Sequence, residues 1–301
     1  MKNPYLLLIF ATLFWAGNFV LSKAVAAEVP PIGLAFGRWL LAFLVIAPFS
    51  WRKCWLDRHR IRQGWKVILL TSFFGIAVFN TFVYIGLQDT SALNSLLLQS
   101  FFPVIVAVLS FFLLSERLNK LQVLGILLSF CGTVVLLSRG SISLLFNTGV
   151  NSGDLWVLSA VFCYAAYALL LQRRPLIHPL SFLFVTFLLG TIMLLPFFIW
   201  EHYALEAVPL NKSVLVTFVY LAIFPSILSY MFFNEAVASI GPSTAGLFSH
   251  LVPLFGSLMA VIFLDESFFI YHAAGALLIF SGIFLVIRKN LYGKKSRLKS
   301  S

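Results

Sequence analysis

Apolar residues dominate this chain in runs of about twenty, separated by short polar connections. A bilayer-spanning helix needs about 20 apolar residues. On that rule the chain predicts ten segments: Tyr5–Ala24, Pro31–Trp51, Trp65–Leu87, Ala92–Leu114, Leu121–Ser138, Leu155–Gln172, Leu180–Trp200, Ser213–Ala236, Pro242–Leu264 and Tyr271–Ile287. Backbone in lipid must satisfy its own hydrogen bonds, so each segment is expected to be a helix. The connections leave no room for a separate soluble domain.

The pattern is internally repeated. Residues 92–139 align without a gap on residues 242–289, at an offset of 150. Pro103 falls on Pro253, Leu114 on Leu264, Glu116 on Glu266, Gly125 on Gly275 and Gly132 on Gly282. Apolar matches are cheap here, whereas a proline, a glutamate and two glycines in one register are not. The start of the chain has its own counterpart: Leu6, Trp15 and Ala16 fall on Leu155, Tyr164 and Ala165. Two five-segment repeats follow, residues 1–148 and 149–301, and repeats are sought before other organisation. Lys2 and the later Ala24-Val25-Ala26 resemble a signal peptide with its cleavage site. The counterpart at Leu155 makes the first segment part of a repeat instead. Because five is odd, the second repeat enters the membrane inverted, a plan of secondary transporters with a midplane site between the halves.

Composition supports the membrane reading. The 301 residues are 61% hydrophobic and only 10% charged, with 33 Phe; mean hydropathy is +1.00. A soluble domain is about 25% charged. Cys54, Cys131 and Cys163 show neither disulfide nor metal spacing, and no metal or cofactor is expected. The net charge of +11 is placed rather than diffuse. With the N-terminus in the cytoplasm, all but Lys23, Arg38, Arg139 and Lys212 of the 21 Lys and Arg residues lie on the cytoplasmic side. The outer side takes Glu28, Asp89, Asp154, Glu201, Glu206, Asp265 and Glu266. This positive-inside bias places both termini in the cytoplasm. It accounts for the basic charge without nucleic acid, and assigns the tail after Ile287 to anionic lipid. The fold class is thus an all-α integral membrane protein of ten helices in two inverted five-helix repeats.

The segment-one motif Trp15-Ala16-Gly17-Asn18-Phe19, the segment-two motif Arg38-Trp39-Leu40-Leu41-Ala42 and the twice-used P…L-x-E…G…G block resemble the EamA branch of the drug/metabolite transporter superfamily. The resemblance covers nearly the whole chain. It implies a ten-helix carrier that works by alternating access, commonly exporting small metabolites, amino acids among them, from bacteria, here across the inner membrane. It also implies a central cavity between the first four segments of each half. The second copy departs from the pattern in lacking the Arg-Leu that follows Glu116.

Pro103 and Pro253 lie mid-segment, and proline kinks a helix by removing a donor. Their matched positions favour shaping of a cavity over simple packing. His250, three residues before Pro253, has Ser100 as its counterpart. An ionisable residue at that depth is a functional-site hypothesis. His250 is a candidate for substrate binding or proton coupling, against a neutral imidazole bonded to a neighbouring helix. Arg38, about 10 Å deep at 1.5 Å per residue, either snorkels outward or pairs with a carboxylate across a cavity. Lys23 is expected to be solvated. Mid-membrane carboxylates are absent from the sequence pattern, and Glu116 and Glu266 read as orienting residues. Trp15, Asn18, Asn80, Tyr84, Gln99, Tyr164, Tyr167, Tyr230, Asn234 and Ser249 complete the candidate cavity, each with core packing as its plain alternative. Gly33 and Gly37 form a GxxxG that permits close helix contact, as do Gly125 and Gly275 in segments five and ten.

The leading reading is a secondary carrier that exports a small metabolite. The interior charges are cationic, which points to a carboxylate-bearing substrate such as an amino acid. An importer or exchanger of another solute, a channel and a membrane-embedded enzyme are the alternatives. The adjacent Ser249 and His250 project about 100° apart on a helix, a poor nucleophile–base geometry.

Overall fold

A computed structural model describes residues 3–116, 118–141, 151–205, 207–209, 211–263 and 267–299; for Ala260, Phe263 and residues 289–299 it describes the backbone alone. Lys2, Arg117, Glu206, Leu264, Asp265, Glu266, the repeat junction at 148–149 and the side chains of the basic tail lie outside the described residues.

Every regular element among the described residues is helical. Nine helices there are long and apolar enough to cross a membrane. The remaining expected segment, nine, is helical too but interrupted: Pro242–Leu247, a 3-10 turn at Phe248–His250, then Leu251–Phe263. Segment four breaks at the same register, between Ala92–Gln99 and Phe102–Leu114. The two prolines therefore stand in the first turn of a second half-helix rather than bending a continuous one. Each break falls just before the proline, which has no N–H to give to the preceding turn.

Segments three and eight carry matched distortions. Ser72–Val78 and Ala222–Leu228 are π-helical, again 150 positions apart. Gly75 and Pro225 sit at the same place within them. Pro225 has no N–H for the Leu221 carbonyl, and the Ser226 hydroxyl donates to that carbonyl at 2.7 Å. Such π turns expose backbone carbonyls to partners elsewhere.

Two helices outrun their apolar segments. Segment two continues to Gln63, where the sequence led us to expect a loop after Trp51. No glycine or proline interrupts Arg52–Gln63, and Gly64 supplies the stop. Segment ten runs from Ile270 to Lys299. Phe112, Leu113, Ile262 and Leu277 point outward on the bundle, as a lipid-facing surface requires.

The repeats meet through reciprocal contacts. A Cβ on Gly125 would stand 2.6 Å from the Gly282 carbonyl oxygen, and one on Gly132 would stand 2.8 Å from that of Gly275. Since Gly125 corresponds to Gly275 and Gly132 to Gly282, each contact is the image of the other, as a two-fold relation between repeats requires. Small residues let these backbones approach in lipid, where dispersion replaces the hydrophobic effect. The GxxxG of segment two behaves differently: Gly33 faces Val208 and Glu201, and Gly37 the Phe218 ring, so it receives side chains rather than a helix backbone.

Candidate functional site

Segments one, three, four, six, eight and nine line a cavity; the empty space in and around it, open solvent included, is about 700 Å³. Trp15, Asn18, Asn80, Gln99, Tyr164, Tyr230 and Ser249 stand in its wall, with Pro253 beside them. Apolar wall is added by Phe19, Phe79, Val83, Leu96, Phe102, Val161 and Val252. Ser100 also lines it, a residue the sequence singled out only as the counterpart of His250. Arg38, Tyr84, His250 and Pro103 are not wall residues.

Most wall residues lie in the middle of their segments or toward the end of the bundle that carries Glu28, Asp89, Asp154 and Glu201, here the acidic end. The opposite, basic end is packed. Tyr5 stacks on Phe248 with ring centroids 6.0 Å apart. The Ser243 hydroxyl donates to Glu116 Oε2 at 3.0 Å, which ties the head of segment nine to the connection after segment four. Arg174 pairs with Glu235 at 3.9 Å. Trp15 and Tyr164, counterparts in the two repeats, meet edge to face at 5.7 Å. Tyr164 stacks in turn on Phe79 at 4.3 Å.

Arg38 sits one layer behind this wall, 1% exposed. It neither snorkels nor meets a carboxylate. Its Nε donates to Ser226 Oγ at 2.6 Å, and Nη2 donates to the Pro225 carbonyl at 3.2 Å. Its Nη1 group donates to Asn18 Oδ1 at 2.9 Å, to Asn80 Oδ1 at 2.7 Å and to the Tyr84 hydroxyl at 2.7 Å. The π turn of segment eight thus supplies two of the five acceptors. Tyr84, read from sequence as cavity wall, is instead a clamp on the guanidinium. Its own hydroxyl donates to Asn18 Oδ1 at 3.2 Å. With its oxygen taken twice, Asn18 has its amide nitrogen left for the cavity. Asn80 Nδ2 donates to the Tyr230 hydroxyl at 3.3 Å, and that hydroxyl donates to the Gly75 carbonyl at 2.6 Å.

The second repeat has no equivalent cation. Pro31 aligns with Pro179, which puts Thr186 where Arg38 stands in the first repeat. Thr186 bonds only its own helix, to Phe182 and Leu183 carbonyls. Its neighbourhood keeps the Asn–Tyr pair with the residues exchanged: the Tyr167 hydroxyl donates to Asn234 Oδ1 at 2.6 Å. The cluster around Arg38 is therefore a one-sided positive site with neutral partners.

His250 is 1% exposed and lies between helices. Nε2 is 2.9 Å from the Ser100 carbonyl and must donate to it; Nδ1 is 2.8 Å from Ser129 Oγ. Both ring nitrogens are taken by neighbouring helices, so the geometry is that of an interhelical bridge one layer behind the wall. Ser249 Oγ and the Tyr164 hydroxyl have no protein partner. Each belongs to a wall residue, and a buried polar atom without a partner costs about 1–3 kcal/mol. Ser249 makes no bond to His250, so the pair does not form a nucleophile and base. No cluster of His, Cys, Asp and Glu able to hold a metal occurs among the described residues.

The acids serve helix ends. Glu201 accepts from the Ile32 N–H at 3.0 Å and the Gly33 N–H at 2.5 Å, capping segment two from segment seven. Asp154 accepts from Thr90 Oγ1 at 2.5 Å and closes the capping box of segment six. Lys23 is exposed but engaged: its Nζ donates to the Leu87 carbonyl at 2.9 Å, at the end of segment three.

Comparison with known proteins agrees with this architecture. Residues 2–138 and 151–288 each match the EamA-like transporter family. An uncharacterized transporter of Archaeoglobus fulgidus is 28% identical over 289 residues, covering 96% of this chain and 98% of that protein. The uncharacterized transporter YyaM of Bacillus subtilis is 27% identical over 301 residues, with 98% of each chain covered. A protein of Salmonella typhimurium named a probable amino-acid metabolite efflux pump is 28% identical over 310 residues, covering 98% and 97%. A solved crystal structure superposes with a TM-score of 0.74 at 21% identity, over 94% of this chain and 96% of that one, which shows a shared fold. With both halves matched, this multi-pass membrane protein belongs to the EamA-like transporter family.

Proposed function

We propose that the protein exports a small carboxylate-bearing metabolite, an amino acid or a close relative, across a bacterial inner membrane by alternating access. The observation that carries this reading is the charge of Arg38, held against neutral acceptors one layer behind the cavity. A buried cation without a counter-ion is costly, and an anion nearby lowers that cost. An anion bound at the Asn18 amide lies one carboxamide and two hydrogen bonds from the guanidinium, about 7 Å. At an effective dielectric of about 20 that separation is worth about 2 kcal/mol.

The rest of the wall suits the body of such a solute. Phe79, Val83, Val161 and Val252 offer apolar surface, and Tyr164 and Ser249 offer unpartnered hydroxyls. The Salmonella relative's name as a probable amino-acid metabolite efflux pump supports the class and the direction. The positive-inside bias puts the basic end and both termini in the cytoplasm, and the cavity mouth outside. In that frame the geometry is an outward-facing stage, the one from which an exporter releases its solute.

Proteoliposomes provide the test. Amino acids and other small carboxylates are expected to move, with trans-acceleration by unlabelled compound on the far side. Movement of amines and sugars without any carboxylate overturns the substrate class. Flux without exchange acceleration makes the protein a channel instead.

A further inference from the structure

A contact at the basic end of the bundle has no counterpart at the acidic end. Gly246 of segment nine packs on the second half of segment four: a Cβ built there would stand 3.4 Å from Phe102 and 3.7 Å from Val106. The 150-residue offset maps Gly246 to Leu96, Phe102 to Val252 and Val106 to Gly256. The image of the contact is therefore Leu96 against Val252 and Gly256. It is not made. Leu96 and Val252 both line the open cavity, and a Cβ on Gly256 meets nothing within 4 Å.

Gly256 has no other reason to be glycine. It lies inside the helix Leu251–Phe263, where glycine is less stable than alanine because its unfolded backbone is freer. Each of the other glycines among the described residues is accounted for. Gly140 and Gly241 have φ of 76° and 82°. At each of the rest, Gly293 in the backbone-only tail apart, a Cβ would find a heavy atom within 3.4 Å. Among the glycines whose surroundings are described, Gly256 alone faces open space with an ordinary backbone.

We propose that Gly256 is the seat into which Leu96 docks when the cavity closes at its acidic end, as the Gly246 contact with Phe102 and Val106 opens at the basic end. The proposal rests on the carrier reading. The two contact sets are complementary in volume. At the basic end the glycine is on the incoming helix and faces a phenylalanine and a valine. At the acidic end the incoming residue is a leucine, and the glycine has moved to the receiving helix. Packed interfaces switch between discrete arrangements rather than deforming continuously. A seat that is empty in one arrangement and filled in the other is what such a switch needs.

Cysteine cross-linking reads the seat directly. Cys54, Cys131 and Cys163 are free thiols and are first replaced by serine. A disulfide forms only where Cα atoms come within about 7 Å. In proteoliposomes oxidised with copper phenanthroline, Leu96→Cys/Gly256→Cys is expected to cross-link. Its yield is expected to move oppositely to that of Val106→Cys/Gly246→Cys, whose Cβ atoms stand about 3.7 Å apart, when a mixture of L-amino acids is added. The seat is refuted when the second pair cross-links and the first does not. Cross-linking of both pairs without any amino-acid movement supports the seat and removes the substrate reading. Exchange without cross-linking of the first pair removes the seat and leaves the substrate reading standing. A second measurement uses packing alone. Gly256→Val fills the seat and is expected to slow exchange about tenfold or more, the scale of an overpacked contact. Adding Leu96→Gly restores the glycine-against-valine pairing of the basic end and is expected to recover exchange. Parental exchange by Gly256→Val alone contradicts the proposal.

Discussion

The Ser100 carbonyl and the His250 imidazole, 2.9 Å apart, join a residue to its own counterpart in the other repeat. Both stand where their segments break ahead of a proline. The contact therefore marks where the pseudo-two-fold axis passes between segments four and nine. The carbonyl that the break leaves without a helical donor receives the imidazole N–H. His250→Leu leaves that carbonyl buried and unpaired. A loss of about 1–3 kcal/mol in stability is expected, with His250→Gln milder because one bond can be remade. Thermal unfolding of the purified protein in detergent measures it. A Leu variant as stable as the parent would show that the bridge contributes nothing.

Asn80→Asp separates the charge of Arg38 from its fold role. The new carboxylate lies 2.7 Å from the guanidinium and neutralises it with nearly unchanged shape. Thermal stability is expected to match or exceed the parent's. Transport of carboxylate compounds is expected to fall about thirtyfold, as the attraction of about 2 kcal/mol across about 7 Å is cancelled. Unchanged carboxylate flux in a stable Asn80→Asp protein would detach Arg38 from substrate choice.

Gly125→Leu drives a side chain into the backbone of segment ten, where a Cβ already stands 2.6 Å from the Gly282 oxygen. Backbone cannot step aside, so the cost is expected to exceed about 3 kcal/mol and the folded yield to collapse. Gly37→Ala meets the Phe218 ring instead, which can turn away, and is expected to fold with a smaller loss. Fluorescence-detected size exclusion compares the two. Equal profiles would mean that the five–ten contact tolerates separation.

Glu201→Ala removes the acceptor for two N–H groups at the start of segment two. The expected loss is about 1–2 kcal/mol, the value of a helix cap, with Glu201→Gln intermediate because it keeps an acceptor without the charge. Chemical or thermal denaturation reads the order parent, Gln, Ala. An Ala variant more stable than Gln would contradict the cap.

Much of the site was legible because lipid makes polarity expensive. A residue such as Asn18, Asn80, Gln99 or Ser249 inside an apolar run must face something other than lipid, and these four line the cavity. Depth is readable from segment position, whereas azimuth is not. Arg38, Tyr84 and His250 are at cavity depth but one layer back, because neighbouring helices rather than their own helix decide what they meet. The acceptors of Arg38 come from segments one, three and eight, and one of them is a backbone carbonyl exposed by a π turn. Side-chain identity carries no signal for that.

The membrane setting, the segment positions, the duplication and the positions of the two prolines are all legible in the order of the residues. Each of these follows from length, composition and a register that survives in single residues. Only the packing of the helices fixes that the basic end is closed, which partners hold Arg38 and that a side chain at Gly256 would meet open space. Those depend on how the two repeats lean on each other. Two nearly equivalent halves admit more than one such packing, and a sequence that serves both arrangements does not single out one.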